Sequence, residues 1–193
     1  MARAVFLDKD GTLVADTPGQ LPRELLPGVG DGLRRLARSG FALVVVTNQA
    51  GLALGRFDEA HVEAGASALR SLLARERVAL DGFYYCPHRA DGTVLRYVRA
   101  CACRKPEPGL LLQACRERGY TPSESVMVGD ILDDVEAAHR AGCRAALLDN
   151  GGETEWRAGA GRTPDFVARD VREAAELILE AAAASRRGAR ARP

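Results

Sequence analysis

Two carboxylates, Asp8 and Asp10, follow a short apolar run near the start of the chain. A run of this kind is typical of a buried strand, and Gly11 lets the chain turn sharply after it. Both carboxylates can then face one small volume beyond the strand, where their charges repel each other and burial strengthens the repulsion. A metal ion would relieve the repulsion, and so would a proton on one of the two groups. The pair therefore indicates metal binding, acid–base chemistry, or both.

Two later apolar runs also end in polar residues. Thr47 follows residues 41–46, and Asp130 follows residues 126–129. Lys105 precedes the predicted helix that leads into the second of these runs. Ligands of an open parallel sheet bind beyond the carboxyl ends of its strands, so these side chains are expected to meet the first two carboxylates at one edge.

Together these residue types could cleave a phosphate ester, which requires neutralised phosphoryl oxygens and an in-line nucleophile. Asp8 can attack phosphorus to give an aspartyl-phosphate. Asp10 can protonate the leaving oxygen and then accept a proton from the water that hydrolyses the intermediate. Asp8 and Asp130 offer hard oxygen ligands for Mg²⁺. Thr47 can donate a hydroxyl, and Lys105 a compact positive charge, to the phosphoryl oxygens.

A second cluster combines three cysteines with one histidine, as Cys86-x-His88 and Cys101-x-Cys103. A Cys₃His set without an open position is typical of structural Zn²⁺, and in a reducing compartment such a cluster favours metal binding over disulfides. Residues 86–103 contain too few apolar side chains to fold unaided, so we predict a small loop that zinc holds together. The alternative is a set of buried free thiols beside a surface histidine.

Apolar runs alternate with amphipathic segments, which favours an α/β fold. We predict a Rossmann-like, mostly parallel sheet with helices on both faces. No long insertion follows the first two motifs, so no large cap domain is expected, and the irregular segment 14–27 suits a substrate loop. The expected strands cover residues 5–7, 41–46, 83–85, 126–128, 144–148 and 166–167. The expected helices cover residues 28–40, 58–77, 108–119, 134–141 and 170–184.

The length of 193 residues and the net charge of +1 limit the possible classes of protein. We expect one domain over residues 1–184, followed by an arginine-rich tail over 185–193 that lacks an apolar face and is predicted to be disordered. The charge gives no reason to expect nucleic acid, and no apolar run reaches the roughly 20 residues of a membrane span. The chain enters its first strand without room for a signal peptide, so we expect a cytoplasmic protein. We also expect a monomer.

The motifs resemble those of the haloacid dehalogenase superfamily of phosphatases and follow the order of that superfamily. The matching segments are Asp8-Lys9-Asp10-Gly11-Thr12, Thr47, Lys105-Pro106 and Gly129-Asp130-Ile131-Leu132-Asp133-Asp134. Three segments are also similar to the zinc-containing group of D,D-heptose 1,7-bisphosphate 7-phosphatases and histidinol-phosphatases. These are Thr47-Asn48-Gln49, Tyr85-Cys86-Pro87-His88 and Cys101-Ala102-Cys103-Arg104-Lys105-Pro106-Glu107-Pro108-Gly109. The resemblance extends from residue 4 to about residue 150.

The resemblance implies a role for most of these residues. It makes Asp8 the nucleophile and Asp10 the acid and base, and it adds the backbone carbonyl of Asp10 to Asp8 and Asp130 as Mg²⁺ ligands. It also implies that Arg104 contacts the substrate. The other substrate-binding residues that it implies are Thr47, Asn48, Gln49, Ala50 and Lys105. Two roles stay open for Asp134, which either caps a helix and orients its neighbours or contacts Mg²⁺ through water.

Two features depart from the pattern of the heptose phosphatases. Ile131 stands where those enzymes carry a lysine, and residues 14–22 lack their aromatic and acidic pattern. That loop helps to bind the substrate beyond the phosphate, so the resemblance implies the reaction more directly than the substrate.

Three hypotheses for the function follow. The leading one is a Mg²⁺-dependent phosphatase that removes the C7 phosphate of D-glycero-D-manno-heptose 1,7-bisphosphate, a small phosphorylated sugar. The alternative enzyme is a phosphatase of histidinol phosphate or of another small phosphosugar. The third is a zinc-stabilised module that binds phosphorylated ligands without turning them over, and the intact pair of Asp8 and Asp10 argues against it.

Overall fold

A parallel sheet of six strands forms the centre of the protein, whose computed structural model describes residues 2–190. In chain order the strands are β1 (Arg3–Leu7), β2 (Phe41–Asn48), β3 (Gly82–Cys86), β4 (Val126–Gly129), β5 (Arg144–Leu148) and β6 (Phe166–Ala168). Their order across the sheet is β3-β2-β1-β4-β5-β6. The direction of winding therefore reverses between β1 and β4, and such a reversal opens a crevice beyond the carboxyl ends of the two strands. The predicted fold class is confirmed, and the sheet is parallel throughout.

Helices cover both faces of this sheet, as predicted. Within residues 2–190 they are α1 (Val29–Arg38), α2 (Glu59–Arg75), α3 (Gly109–Arg118), α4 (Leu132–Ala141) and α5 (Val171–Arg190). Side chains of a strand alternate between the two faces, so Val5 and Leu7 pack with residues of α1, α2 and α5, whereas Ala4 and Phe6 pack with α3 and α4. Strand β1, which directly precedes Asp8, is thus buried on both sides.

The ends of the helices follow local rules that the sequence already indicates. Asp58 caps α2, because its side chain accepts a hydrogen bond of 2.9 Å from the backbone N–H of His61. Helix α3 ends at Gly119, whose φ of 70° places it in the left-handed region that favours glycine. None of the helices within residues 2–190 has both the length and the apolar character needed to cross a bilayer.

The C-terminal end of the described chain differs from the prediction. Helix α5 continues to Arg190, so the disordered tail predicted from residue 185 is wrong for residues 185–190. Alanine and arginine have high helix propensities, and adding a residue to an existing helix costs far less than starting a new one. The helix can therefore extend beyond its last packed turn. Residues 191–193 lie outside the described part of the chain.

Candidate active site

The ends of three neighbouring strands bring the predicted reactive residues into one pocket, here called the inner pocket. Asp8 follows β1, Thr47 lies at the end of β2, and Asp130 follows β4, and all three are buried. The residues that line the inner pocket include Asp8, Asp10, Thr47, Asn48, Arg104, Lys105, Asp130, Asp133, Asn150 and Gly152. The structure therefore places the predicted nucleophile, acid, hydroxyl donor and cation together, where a doubly wound sheet binds its ligands.

Lys105 lies between two buried carboxylates at the floor of the inner pocket. Its Nζ is 2.6 Å from Oδ1 of Asp8 and 2.5 Å from Oδ1 of Asp134, and it donates to the carbonyl of Val46 at 3.1 Å. Burial alone would lower the pKa of Lys105, but Asp134 and Asp8 outweigh it and raise the pKa above its usual value. The lysine therefore stays charged, and it leaves Oδ2 of Asp8 for chemistry.

The side chain of Asn48 fixes the backbone of Lys105. Its Nδ2 donates to the carbonyl of Lys105 at 3.1 Å, and its Oδ1 accepts from the N–H of Lys105 at 3.1 Å. Such a two-way contact sets the height of Lys105 relative to the end of β2. Asn48 thus has a structural task in addition to the substrate contact that the sequence implies.

Three carboxylates at this floor, those of Asp8, Asp130 and Asp134, lie within 4.8 Å of one another. Burial, followed by the charge of Asp8, raises the pKa of Asp130 to about 6. Burial also raises the pKa of Asp134 to about 7, although Lys105 opposes this shift. One lysine does not compensate three buried acids, and carboxylate oxygens are the ligands that Mg²⁺ prefers. The donor set therefore fits a magnesium ion.

The side chain of Asp134 does not cap helix α4. The N-cap position is Ile131, without a side-chain bond, and the N–H of Leu132 instead donates to Oε2 of Glu153 at 2.7 Å. Asp134 faces Lys105, and no hydrogen-bond donor among residues 2–190 meets its Oδ2. The capping role is therefore wrong, and Oδ2 of Asp134 is left buried without a protein donor among residues 2–190.

Two glycines hold the carboxylate of Asp130 in a narrow slot. A Cβ on Gly11 or on Gly152 would lie 2.1 Å from Oδ2 of Asp130, closer than any tolerable contact. Asn150 joins the two sides of the slot, because its Nδ2 donates to the carbonyl of Gly11 at 2.9 Å and its Oδ1 accepts from Gly152 at 3.1 Å. The loop after β5 was not predicted to belong to the site, although its run Asn150-Gly151-Gly152 follows an apolar strand just as the predicted site residues do.

We expect the substitution Gly152→Ala to weaken magnesium binding. The added Cβ must push the carboxylate of Asp130 away from its present position, and displaced ligand geometry typically lowers metal affinity by about 10–100-fold. The magnesium dependence of phosphate release measures this effect. Gly65→Ala on α2 is the matched control, because its added Cβ would meet only Leu21 at 4.0 Å. An unchanged magnesium dependence for Gly152→Ala would contradict the proposed position of the metal.

The carboxyl group of Asp10 lies in a different environment from that of Asp8. Oδ1 of Asp10 accepts from Nζ of Lys9 at 2.6 Å, and Oδ2 accepts from Nε2 of Gln49 at 3.1 Å. Burial raises the pKa of Asp10, Lys9 opposes the shift, and the charge of Asp8 adds to it. A raised pKa favours the protonated carboxyl, which is the form that can donate a proton to a leaving oxygen.

A second cavity, here called the outer cleft, opens from the inner pocket. The two share Asp10, Asp16 and Asn48, so a ligand can extend from one into the other. The outer cleft is lined by residues of the 14–22 loop, the segment after β2 and the start of α2, including Thr17, Gln20, Gln49, Ala50, Arg56, Phe57 and His61. Ala50, a substrate residue that the resemblance implies, lines the outer cleft and is not among the residues that line the inner pocket.

The predicted zinc ligands are brought together. Donor atoms of Cys86, His88, Cys101 and Cys103 all lie within 4.8 Å of one another. The sulfur–sulfur distances are 3.0 to 3.5 Å, and Nδ1 of His88 is 3.3 Å from Cys103 and 3.7 Å from Cys86. A tetrahedral zinc ion with ordinary bond lengths has edges of roughly 3.5–3.8 Å. The sulfur atoms lie closer together than these edges, so they would separate by less than about 1 Å around the ion. The donor types and their convergence fit a closed structural zinc site.

The loop that carries these ligands also braces the outer cleft. Backbone N–H groups of Thr93 and Val94 donate to the carbonyl of Ala53 at 2.7 and 2.9 Å. The hydroxyl of Tyr97 donates to the carboxylate of Glu59 at the start of α2. The loop thus supports the segment between β2 and α2, and its last ligand directly precedes Arg104 and Lys105.

Comparison with known proteins establishes the family. A family model described as HAD-hydrolase-like matches residues 102–174. A protein of Escherichia coli K12 named D-glycero-beta-D-manno-heptose-1,7-bisphosphate 7-phosphatase is 44% identical over 149 residues, which cover 75% of this chain and 78% of that protein. The chain belongs to this phosphatase family of HAD-like hydrolases.

Two further relatives extend the similarity over almost the whole chain. A protein of the same name from Photorhabdus laumondii is 39% identical over 184 residues, covering 93% of this chain and 91% of its own. A crystal structure described as D,D-heptose 1,7-bisphosphate phosphatase from B. bronchiseptica, complexed with magnesium and phosphate, has a TM-score of 0.74 at 31% identity and covers 94% of this chain and 99% of that one. The predicted membership is confirmed, and the protein is a phosphoric monoester hydrolase.

Proposed function

We propose that this phosphatase removes the C7 phosphate of D-glycero-β-D-manno-heptose 1,7-bisphosphate through an aspartyl-phosphate intermediate. The observation that carries the proposal is the buried floor of the inner pocket, where Lys105 bridges Asp8 and Asp134 beside Asp130. Relatives that cover most of this chain are named for this reaction. The outer cleft offers a polar space for the sugar next to that floor.

The residues at the floor can perform both halves of the reaction. Thr47 donates a hydrogen bond to a phosphoryl oxygen, and Lys105 places its positive charge beside the phosphoryl group. Oδ2 of Asp8 attacks phosphorus as the bond from phosphorus to the C7 oxygen breaks. Asp10 gives its proton to that leaving oxygen. Asp10 then takes a proton from a water molecule, whose oxygen attacks phosphorus and releases phosphate from Asp8.

Asp8, Asp130 and the backbone carbonyl of Asp10 would hold Mg²⁺, with Asp134 in support through water. When bound, the ion neutralises charge on the phosphoryl oxygens and relieves the repulsion among the carboxylates. Lys105 contributes a second, fixed positive charge, which its two ion pairs keep in place even before a substrate enters.

Cys86, His88, Cys101 and Cys103 would hold Zn²⁺ as a structural ion. The same segment places Arg104 at the wall of the inner pocket, where its Nη1 is buried and meets no hydrogen-bond partner among residues 2–190. A buried donor of this kind is costly to leave unpaired, so it is suited to bind an oxygen of the substrate.

A steady-state screen of phosphate release tests the substrate. We expect kcat/KM for the heptose bisphosphate to exceed that for histidinol phosphate by about 100-fold or more, because buried polar groups that fit one substrate are left unpaired by another. The panel also includes simple sugar phosphates and nucleotides, with Asp8→Asn as the inactive control. Equal turnover of histidinol phosphate would contradict the substrate, and phosphate-ester binding without turnover by the wild type would indicate the binding module instead.

A further inference from the structure

Both oxygens of the Asp10 carboxyl are held by donors from residues that the proposed mechanism does not use. Lys9 donates to Oδ1 at 2.6 Å, and Gln49 donates to Oδ2 at 3.1 Å. The two donors are themselves buried, with only 9% of Lys9 and 8% of Gln49 exposed. A carboxyl held at both oxygens has a fixed plane and a fixed direction, whereas one held at a single oxygen can still rotate.

The amide of Gln49 has a second contact, on the side of Thr47. Nε2 of Gln49 also donates to Oγ1 of Thr47 at 3.1 Å. The opposite orientation would aim the amide oxygen at a carboxylate, which only accepts hydrogen bonds when ionised. Because Oγ1 of Thr47 accepts from Gln49, its own proton remains free for a phosphoryl oxygen. The amide is therefore anchored between two groups that face the reacting phosphate.

We propose that Gln49, together with Lys9, is a positioning residue that aims the carboxyl of Asp10 at the leaving oxygen of the substrate. This inference rests on the proposed function, because it needs Asp10 as the acid. When the phosphorus–oxygen bond of the substrate breaks, the proton of Asp10 passes to the leaving oxygen, and the ionised carboxylate then accepts from Gln49 and Lys9. Gln49 acts through Asp10, in place of the substrate contact that the sequence implies for it.

A positioning role of this kind depends on the leaving group. An alkoxide is a poor leaving group and needs a proton as its bond to phosphorus breaks, whereas p-nitrophenolate leaves readily without one. Loss of the Gln49 donor therefore slows the cleavage of alkyl phosphates and spares aryl phosphates. A residue that only supported the fold, or only bound phosphate, would affect both classes equally.

The test compares the wild type with Gln49→Met, which keeps the length of the side chain and removes its donor. Single-turnover rate constants for formation of the phosphoenzyme are measured with a series of aryl and alkyl phosphates of increasing leaving-group pKa. We expect a loss of about 10–100-fold for alkyl phosphates and less than about 3-fold for p-nitrophenyl phosphate, since general acid catalysis contributes about 10²–10⁴-fold in total. Lys9→Met should likewise slow phosphoenzyme formation more for alkyl phosphates than for p-nitrophenyl phosphate.

The controls separate this inference from the function on which it rests. Gln113→Met makes the same change on α3, away from both cavities, where Gln113 donates to the exposed Glu117, and it should alter neither class. Asp10→Asn should abolish the benefit of Gln49, so that the double variant is no slower than Asp10→Asn alone. Equal losses for aryl and alkyl phosphates, or no loss at all, would overturn the role of Gln49. A wild type that releases no phosphate from any ester would overturn the proposed function itself.

Discussion

Replacing Lys105 with methionine is expected to destabilise the protein by about 3–5 kcal/mol and to lower phosphate release by about 10³-fold. The side chain of Lys105 is 2% exposed and forms ion pairs with Asp8 and Asp134. Its removal leaves two buried carboxylates without their cation, and it also removes a positive charge from the phosphoryl site. Urea unfolding without added magnesium measures the stability change, and phosphate release with saturating magnesium measures the activity.

Two further variants check the cause of the Lys105→Met effect. In Lys105→Met/Asp134→Asn the second carboxylate no longer needs a cation, so the double variant should regain part of the lost stability but none of the activity. Arg169→Met removes a cation whose side chain is 84% exposed in its pair with Glu173, and it should leave the midpoint of urea unfolding nearly unchanged. If the double variant is no more stable than Lys105→Met, the unpaired buried charge is not the cause of the lost stability.

Removal of a zinc ligand should have the second large effect. Cys101→Ser is expected to reduce bound zinc from one ion per chain to nearly none, because a structural site depends on its full set of four ligands. The loop then loses its hold on Ala53 and on the segment that carries Arg104, so kcat/KM should fall by about 100-fold. Elemental analysis of the purified protein gives the zinc content, and the phosphate-release assay gives the activity.

Cys115 provides the matched control for the zinc prediction. It is a buried cysteine of α3 outside the ligand cluster, so Cys115→Ala should retain zinc. Full zinc occupancy in Cys101→Ser would show that the ligand set is wrong. Loss of zinc without loss of activity would show that the loop does not support the outer cleft.

The sequence predicts the convergence of Asp8, Thr47 and Asp130 because each follows an apolar run, and parallel strands of one sheet end at the same edge. It predicts the capping of α2 by Asp58 for a similarly local reason, since residue type and position decide a helix start. The zinc ligands can be predicted in the same way, because their residue types and short spacing are visible in the sequence. All of these features depend on neighbours in the chain or on one general property of the fold.

Other parts of the site depend on contacts that no local pattern records. Glu153 accepts a hydrogen bond from the first N–H of α4, 21 residues away in the sequence. Asn150 donates to the carbonyl of Gly11, 139 residues away. The resemblance names Gln49 as a site residue, but it does not tell in which direction the amide points. Likewise, the two roles left open for Asp134 are separated only when its side chain is found against Lys105. Tertiary packing, not residue type, decides each of these cases.

The division of the cavity into an inner pocket and an outer cleft bears on how such an enzyme can diversify. Asp8, the proposed nucleophile, follows the strand at the middle of the sheet, and its backbone N–H donates to the carbonyl of Val128 at 3.0 Å. Residues 16–20, by contrast, line the outer cleft from a loop outside the sheet. Mutations there can alter which sugar is accepted while the bond-breaking groups stay in place. A lineage can thus acquire a new substrate through this loop without rebuilding its chemistry.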